Sequence, residues 1–198
     1  MRNNMENNPI IYHRQFSREG RPVAFSPEIM ARVQNLIARY PEGRQKSALL
    51  PILHIAQEEF GGHLTVDIMD YVASLLGIQP IEVYEVATFY SMFYLDKVGK
   101  YVIEVCHTGP CAIAGGEKIL EHLQEILQIN TGETTPDGLF SLKEVECLGS
   151  CGTSPVMQVN TEFYERLTPA MVGNLIDELR KSANKDNPDD SAWVEKFF

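Results

Sequence analysis

The first part of the chain repeats apolar residues at helical spacing. In residues 26–40 they recur every three or four positions, and Ser26 followed by Pro27 is a typical helix beginning. The same period predicts three further helices, over residues 47–60, over residues 65–76, and from Pro80 to about residue 90. Residues 26–97 are therefore predicted to form an all-helical domain, a small bundle.

From residue 98 onward the period changes, and strands alternate with helices. The runs YVIEV (101–105) and LFSLKEVE (139–146) predict strands on either side of a helix over residues 117–127. Two short strands and a last helix follow. The order β-α-β and then β-β-α predicts a four-stranded mixed sheet, in which the first two strands are parallel and the last two form a hairpin. This is the minimal thioredoxin-like arrangement, and the predicted fold class is α+β.

The predicted organisation has four segments. They are an N-terminal arm (1–25), the helical domain (26–97), the thioredoxin-like domain (98–182) and a C-terminal tail (183–198). The arm lacks the apolar stretch of a secretory signal. No apolar run reaches the roughly 18–20 residues that cross a bilayer, so no direct membrane insertion is expected. We therefore expect a reducing, cytoplasmic compartment.

Composition and charge limit the kinds of molecule that the chain is expected to bind. Hydrophobic residues make up 44% of the chain and charged residues 22%, which is ordinary for a globular protein with a packed core. The formal net charge is −10. A nucleic-acid partner is not expected, because phosphate binding requires a basic face.

The four cysteines of the chain lie in two close pairs. Cys106 and Cys111 fall in CHTGPC, and Cys147 and Cys151 fall in CLGSC. Each pair comes just after a predicted strand, and these two strands are predicted to be parallel neighbours. Because the carboxyl ends of parallel strands meet at one edge of a sheet, the four thiols are expected to converge from two loops.

Three chemistries suit four convergent thiols. Structural disulfides are rare in a reducing compartment. A four-cysteine zinc site is reasonable, although these spacings differ from the C-x2-C knuckles of most zinc ribbons. A [2Fe–2S] cluster takes two thiolates per iron, and the wider spacers and the surrounding glycines suit it better. His107, next to a cysteine, is a weak ligand candidate because the four thiols complete a set. The residues alone favour the cluster and leave zinc open.

Longer stretches of the sequence carry a family resemblance. CLGSCGTSPVMQVN, YPEGRQKSALLPILHIAQEEFGG and IEVYEVATFYSMF resemble the thioredoxin-like [2Fe–2S] ferredoxin subunit of NADH:quinone oxidoreductase, also called complex I. The resemblance covers about residues 26–182. It implies that one [2Fe–2S] cluster is ligated by Cys106, Cys111, Cys147 and Cys151.

The resemblance also implies a function. The cluster would exchange electrons with FMN in a partner subunit that oxidises NADH, and both chains would belong to one larger assembly. The chain would then be a subunit of an NADH dehydrogenase without a catalytic residue or complete active site of its own. This agrees with the sequence, which shows no dinucleotide-binding glycine fingerprint.

Several alternatives accompany this expectation. Equivalent subunits occur in NAD-linked hydrogenases and formate dehydrogenases, and a single chain does not separate these hosts. A zinc-stabilised interaction module is the alternative of another class. The resemblance implies a location in the bacterial cytoplasm, peripheral to the inner membrane through the complex, with the mitochondrial matrix as the weaker alternative.

Overall fold

The computed structural model describes Gly20 and residues 22–183, which fall into two compact units divided between Lys97 and Val98. Most of the predicted N-terminal arm and nearly all of the predicted tail lie outside the described residues. Across the described ranges, no helix has both the length and the apolar character needed to span a membrane.

The described residues of the first unit form four α-helices and one short 3₁₀ helix. The α-helices are α1 (Pro27–Ile37), α2 (Leu49–Glu59), α3 (Val66–Leu76) and α4 (Pro80–Phe89), and the 3₁₀ helix Gln45–Ala48 precedes α2. Local sequence sets the ends of these helices. The hydroxyls of Ser26 and Thr65 accept the backbone N–H groups three residues later, and Gly77 ends α3 at a φ of 63°.

The core of this unit reaches past the predicted boundary of the arm. Phe25 is buried, and its ring lies 5.3 Å from both the Phe60 ring and the Tyr71 ring. Its backbone N–H also donates to the Tyr71 hydroxyl. An aromatic side chain buries a large apolar area. Residue 25 therefore belongs to the packed helical unit, although the sequence pattern placed it in the arm.

In the second unit, the described residues up to 183 form the sheet and three α-helices. Its elements are β1 (Tyr101–Cys106), α5 (Gly109–Ile113), α6 (Gly116–Leu127), β2 (Phe140–Val145), the 3₁₀ turn Cys151–Thr153, β3 (Met157–Val159), β4 (Glu162–Tyr164) and α7 (Pro169–Ala183). The strand order is β2-β1-β3-β4. β1 is parallel to β2 and antiparallel to β3, and β3 is antiparallel to β4. The predicted α+β class with a four-stranded mixed sheet is confirmed.

Register and packing fix the edge at which the cysteines meet. Tyr101 is level with Phe140 and Cys106 with Val145, so β1 and β2 begin and end together. Apolar residues of α6 and α7 share one buried cluster with alternate residues of the strands, including Ile103 and Leu142. Both helices therefore cover the same face of the sheet. The two cysteine segments lie at the carboxyl ends of β1 and β2.

Asn160 ties the β3–β4 turn to β1. It adopts a φ of 54°, a conformation that asparagine tolerates better than most residues. Its Oδ1 accepts the Val102 N–H at 2.8 Å, and its Nδ2 donates to the Lys100 carbonyl at 3.2 Å. The side chain thus satisfies backbone groups of the strand that leads to Cys106.

We expect Asn160→Ala to lower the free energy of unfolding by about 1–3 kcal/mol, because the Val102 N–H loses its acceptor. Asn160→Asp keeps that acceptor and should cost less. Urea denaturation followed by circular dichroism checks the ranking. Equal losses for the two variants would contradict this role of Asn160.

Candidate metal centre

The parallel pair of strands delivers the two cysteine segments to one edge. Cys106 is the last residue of β1, and its register partner Val145 precedes Cys147 by two residues. The Cys106 thiol lies 3.4 Å from the Glu146 carbonyl oxygen, and the Thr108 hydroxyl donates to the same carbonyl. The first segment is therefore bonded directly to the beginning of the second.

The first cysteine pair lies in regular secondary structure, which the sequence pattern did not indicate. CHTGPC was expected to be a loop, but Cys106 lies within β1 and Cys111 lies on the short helix α5. Both residues are buried, with exposed fractions of 3% and 2%, and they pack with Val156 and Leu148. The Cys111 thiol lies 3.5 Å from the Ser154 hydroxyl oxygen. This pair is held by a strand, a helix and an apolar lining.

The second pair lies at the surface. Cys147 and Cys151 are both exposed, and Cys151 opens a 3₁₀ turn. Gly149 has a φ of 77° and directs its N–H to the Cys147 sulfur at 3.4 Å. Glycine adopts this backbone conformation without strain. Backbone N–H groups aimed at sulfur stabilise a thiolate and set the properties of a bound cluster.

The four thiols are free and close enough to influence one another electrostatically. Burial raises the pKa of the Cys106 thiol, but hydrogen bonds from the backbone of Thr108 and Leu148 and an interaction with Cys111 outweigh burial and lower it. Partial removal from water raises the pKa of Cys151, and repulsion from Cys147 and then from Cys111 and Cys106 adds to this. Such mutual repulsion is relieved when thiolates bind a cation.

The described part of the chain contains no group of three or more His, Cys, Asp or Glu side chains that surrounds one ion position. Within the four thiols, direct side-chain interactions join Cys106 to Cys111 and Cys151 to Cys147, while only longer-range repulsion links Cys151 to Cys111 and Cys106. A [2Fe–2S] cluster needs two thiolates at each iron. The donor set and its division into two pairs therefore fit that group.

His107 is occupied by two carboxylates. Its Nδ1 lies 3.3 Å from Glu144 Oε1, and its Nε2 lies 3.7 Å from Glu146 Oε1. Both ring nitrogens therefore have partners other than a metal. The ring therefore lies between the carboxylates of Glu144 and Glu146.

The sequence pattern did not identify the residues that hold the second pair in place. The hydroxyls of Ser150 and Thr153 both donate to Glu165 Oε1, at 2.5 and 2.7 Å. Glu165 follows β4 and is 15 and 12 residues away from these partners along the chain. A carboxylate at that separation gives no local sequence signal. Only the fold brings it to the second loop.

A protein-family model shows to which family this chain belongs. The model of the thioredoxin-like [2Fe-2S] ferredoxins matches residues 33–180. The chain belongs to this family. The resemblance seen in the sequence is thereby confirmed.

Two relatives of this ferredoxin chain show how far the similarity extends. NADH dehydrogenase [ubiquinone] flavoprotein 2, mitochondrial, of Dictyostelium discoideum is 42% identical over 166 residues, which cover 84% of this chain and 67% of that protein. A subunit of the NADH-quinone oxidoreductase of Rickettsia conorii is 45% identical over 147 residues, covering 74% of this chain and 88% of that protein. The similarity therefore includes both units of the chain.

A solved structure supports the fold alone. The crystal structure of an NAD+-reducing [NiFe]-hydrogenase in the air-oxidized state superimposes with a TM-score of 0.59 at 23% identity. The match covers 68% of this ferredoxin chain but only 23% of the hydrogenase chain. Similarity at this level establishes a shared architecture.

Gly116 packs closely against the backbone of the site. A Cβ atom at this position would lie 2.9 Å from the carbonyl oxygens of both Cys106 and Cys111. The first turn of α6 therefore packs directly on the backbone of the buried pair.

We expect Gly116→Ala to displace these carbonyls, lower the thermal unfolding temperature and reduce the iron bound after reconstitution. Gly173→Ala is the matched control, since a Cβ there would meet only His122 Nε2, at 3.7 Å. The control lies within α7 and should be neutral or stabilising by up to about 1 kcal/mol. If both variants behaved alike, the close packing at Gly116 would be refuted.

Proposed function

We propose that this protein is the electron-transfer subunit of an NADH:quinone oxidoreductase and binds one [2Fe–2S] cluster through Cys106, Cys111, Cys147 and Cys151. One observation carries the proposal. Four free thiols stand in two pairs at the common edge of two parallel strands. The names of the relatives, subunits of NADH dehydrogenases, support the same assignment.

The arrangement of the pairs favours a two-iron cluster over zinc. Cys106 and Cys111 would hold a buried iron, and Cys147 and Cys151 an exposed one. A single zinc ion would need all four sulfurs at one centre, at about 2.3 Å from the metal. The backbone N–H groups directed at the sulfurs of Cys106 and Cys147 also suit a cluster, whose charge they offset.

The bound cluster supplies one-electron transfer, and the chain controls where electrons enter. The apolar lining of Cys106 and Cys111 excludes water from one side of the site. The exposed pair leaves the other side accessible to a redox partner. In this proposal the chain acts as an electron carrier within an assembly.

The proposed partner is the flavin-binding chain of the same assembly, which holds FMN and oxidises NADH. NADH delivers two electrons, and a one-electron carrier beside the flavin can accept one of them. The alternative hosts are an NAD-linked hydrogenase and a formate dehydrogenase, in which this chain would be the equivalent subunit. We propose a cytoplasmic location, attached to the membrane through the complex.

The ligand set is tested by reconstitution with iron and sulfide. Wild type should bind two irons and two sulfides per chain, absorb visible light and give an EPR signal after reduction. Cys→Ser at each of the four positions should abolish this state or alter it strongly, because an iron loses a thiolate.

His107→Ala should retain the cluster and serves as the control, since His107 neighbours a ligand but faces Glu144 and Glu146. A colourless protein that binds one zinc ion with all four cysteines would overturn the cluster assignment. Loss of the cluster in the His107 variant would overturn the ligand set.

The partner is tested with NADH. The loaded protein alone should not be reduced by NADH, because no dinucleotide site is proposed in this chain. Addition of the FMN-containing subunit should allow anaerobic reduction, seen as loss of visible absorption and appearance of the EPR signal. Reduction at the same rate without the partner would contradict the proposed division of labour.

A further inference from the structure

The exposed ligand loop is held from outside by one carboxylate. Glu165 Oε1 accepts hydrogen bonds from Ser150 Oγ at 2.5 Å and from Thr153 Oγ1 at 2.7 Å. These two residues flank Cys151. The Ser150 and Thr153 hydroxyl oxygens are also 2.7 Å apart, and Thr153 Oγ1 lies 3.1 Å from the Ser150 carbonyl. The 3₁₀ turn that presents Cys151 is therefore closed around the carboxylate.

The Glu165 segment is anchored independently of its side chain. The Arg166 N–H donates to the Thr153 carbonyl at 2.7 Å, and the Leu167 N–H donates to the Pro155 carbonyl at 3.1 Å. These backbone bonds persist when the Glu165 side chain is changed. The course of the chain after β4 should therefore survive substitution at Glu165, while the two hydroxyls lose their acceptor.

The two ligand pairs differ in what fixes them. Cys106 belongs to a central strand, and Cys111 is buried against Val156. Cys147 and Cys151 are exposed, so apolar packing contributes less to their position. Hydrogen bonds must take over this role. Charge-assisted bonds from hydroxyls to a carboxylate are among the strongest that side chains form.

Resting on the proposed function, we propose that Glu165 is a positioning residue for the exposed iron: its carboxylate fixes the Ser150–Thr153 turn and thereby the direction of the Cys151 thiolate. Bonds to the Ser150 and Thr153 hydroxyls lower the pKa of Glu165, so the carboxylate stays ionised and keeps both bonds. Groups that orient metal ligands tune metal affinity and potential.

Three variants separate the positioning role of Glu165 from the effect of its charge. Glu165→Gln removes the negative charge but keeps an amide oxygen that can accept both hydroxyls. Glu165→Ala removes the charge and the acceptor. The double variant Ser150→Ala/Thr153→Val keeps the carboxylate but removes both donors. If Glu165 acts by positioning, the Ala and double variants should resemble each other, and the Gln variant should resemble wild type.

The experiment uses the full chain loaded with its cluster. We expect Glu165→Ala and the double variant to release iron to a chelator about 10-fold faster than wild type. Their EPR lines should broaden because the ligand turn samples several orientations, and their midpoint potentials should shift. Glu165→Gln should stay near wild type in release rate and line width. Glu121→Gln, an exposed carboxylate on α6, controls for net charge.

Failure of the positioning role can be distinguished from failure of the proposed function. If wild type binds no [2Fe–2S] cluster, the proposed function fails before the variants are compared. If wild type is loaded and Glu165→Ala matches it in all three measurements, the positioning role is overturned. Equal changes in the Gln and Ala variants would also overturn it, because they would show that the charge acts without the hydrogen bonds.

Discussion

The parallel, in-register pairing of β1 with β2 is the constraint on which the site depends. A parallel pair needs a crossover, and the segment from α5 to the start of β2 provides it. Because both strands end level, the cysteines that follow them meet, although Cys111 and Cys147 are far apart in the chain. The helices α6 and α7 then stabilise the sheet by packing on one of its faces.

Bringing four thiols together costs electrostatic free energy, and the structure affects the individual cysteines differently. Hydrogen bonds to Cys106 favour its thiolate, whereas repulsion disfavours that of Cys151. Fixed hydrogen-bond donors in an apolar lining therefore favour an ionised Cys106. A nearby positive charge would relieve the repulsion at Cys151. A cation bound between the pairs would reverse the repulsion and join the two loops.

Most of the fold was predictable from the sequence because its signals are local. Helix caps such as Ser26 and Thr65, the stop at Gly77 and the change of hydrophobic period all act over a few residues. The placement of all four cysteines at one edge followed from strand order. The family resemblance came from the motifs around them.

The features that were missed depend on short elements or on distant contacts. Helix α5 has only five residues, too few to show a period, so its segment resembled a loop. Phe25 is buried by rings of α3 and the α2 terminus, which a reading of neighbouring residues does not reveal. The Ser154–Pro155 bond is cis, an isomer that local sequence does not specify. Glu165 reaches its partners only through the β3–β4 hairpin.

The contact of Gly116 with the carbonyls of Cys106 and Cys111 has a consequence for protein engineering. A loop carrying the motif CHTGPC is not a transferable module, because the crossover helix forms part of its wall. A designer who grafts this centre onto another scaffold must transplant the end of β1, α5 and the first turn of α6 as one block. The second loop must come with an acceptor that plays the part of Glu165.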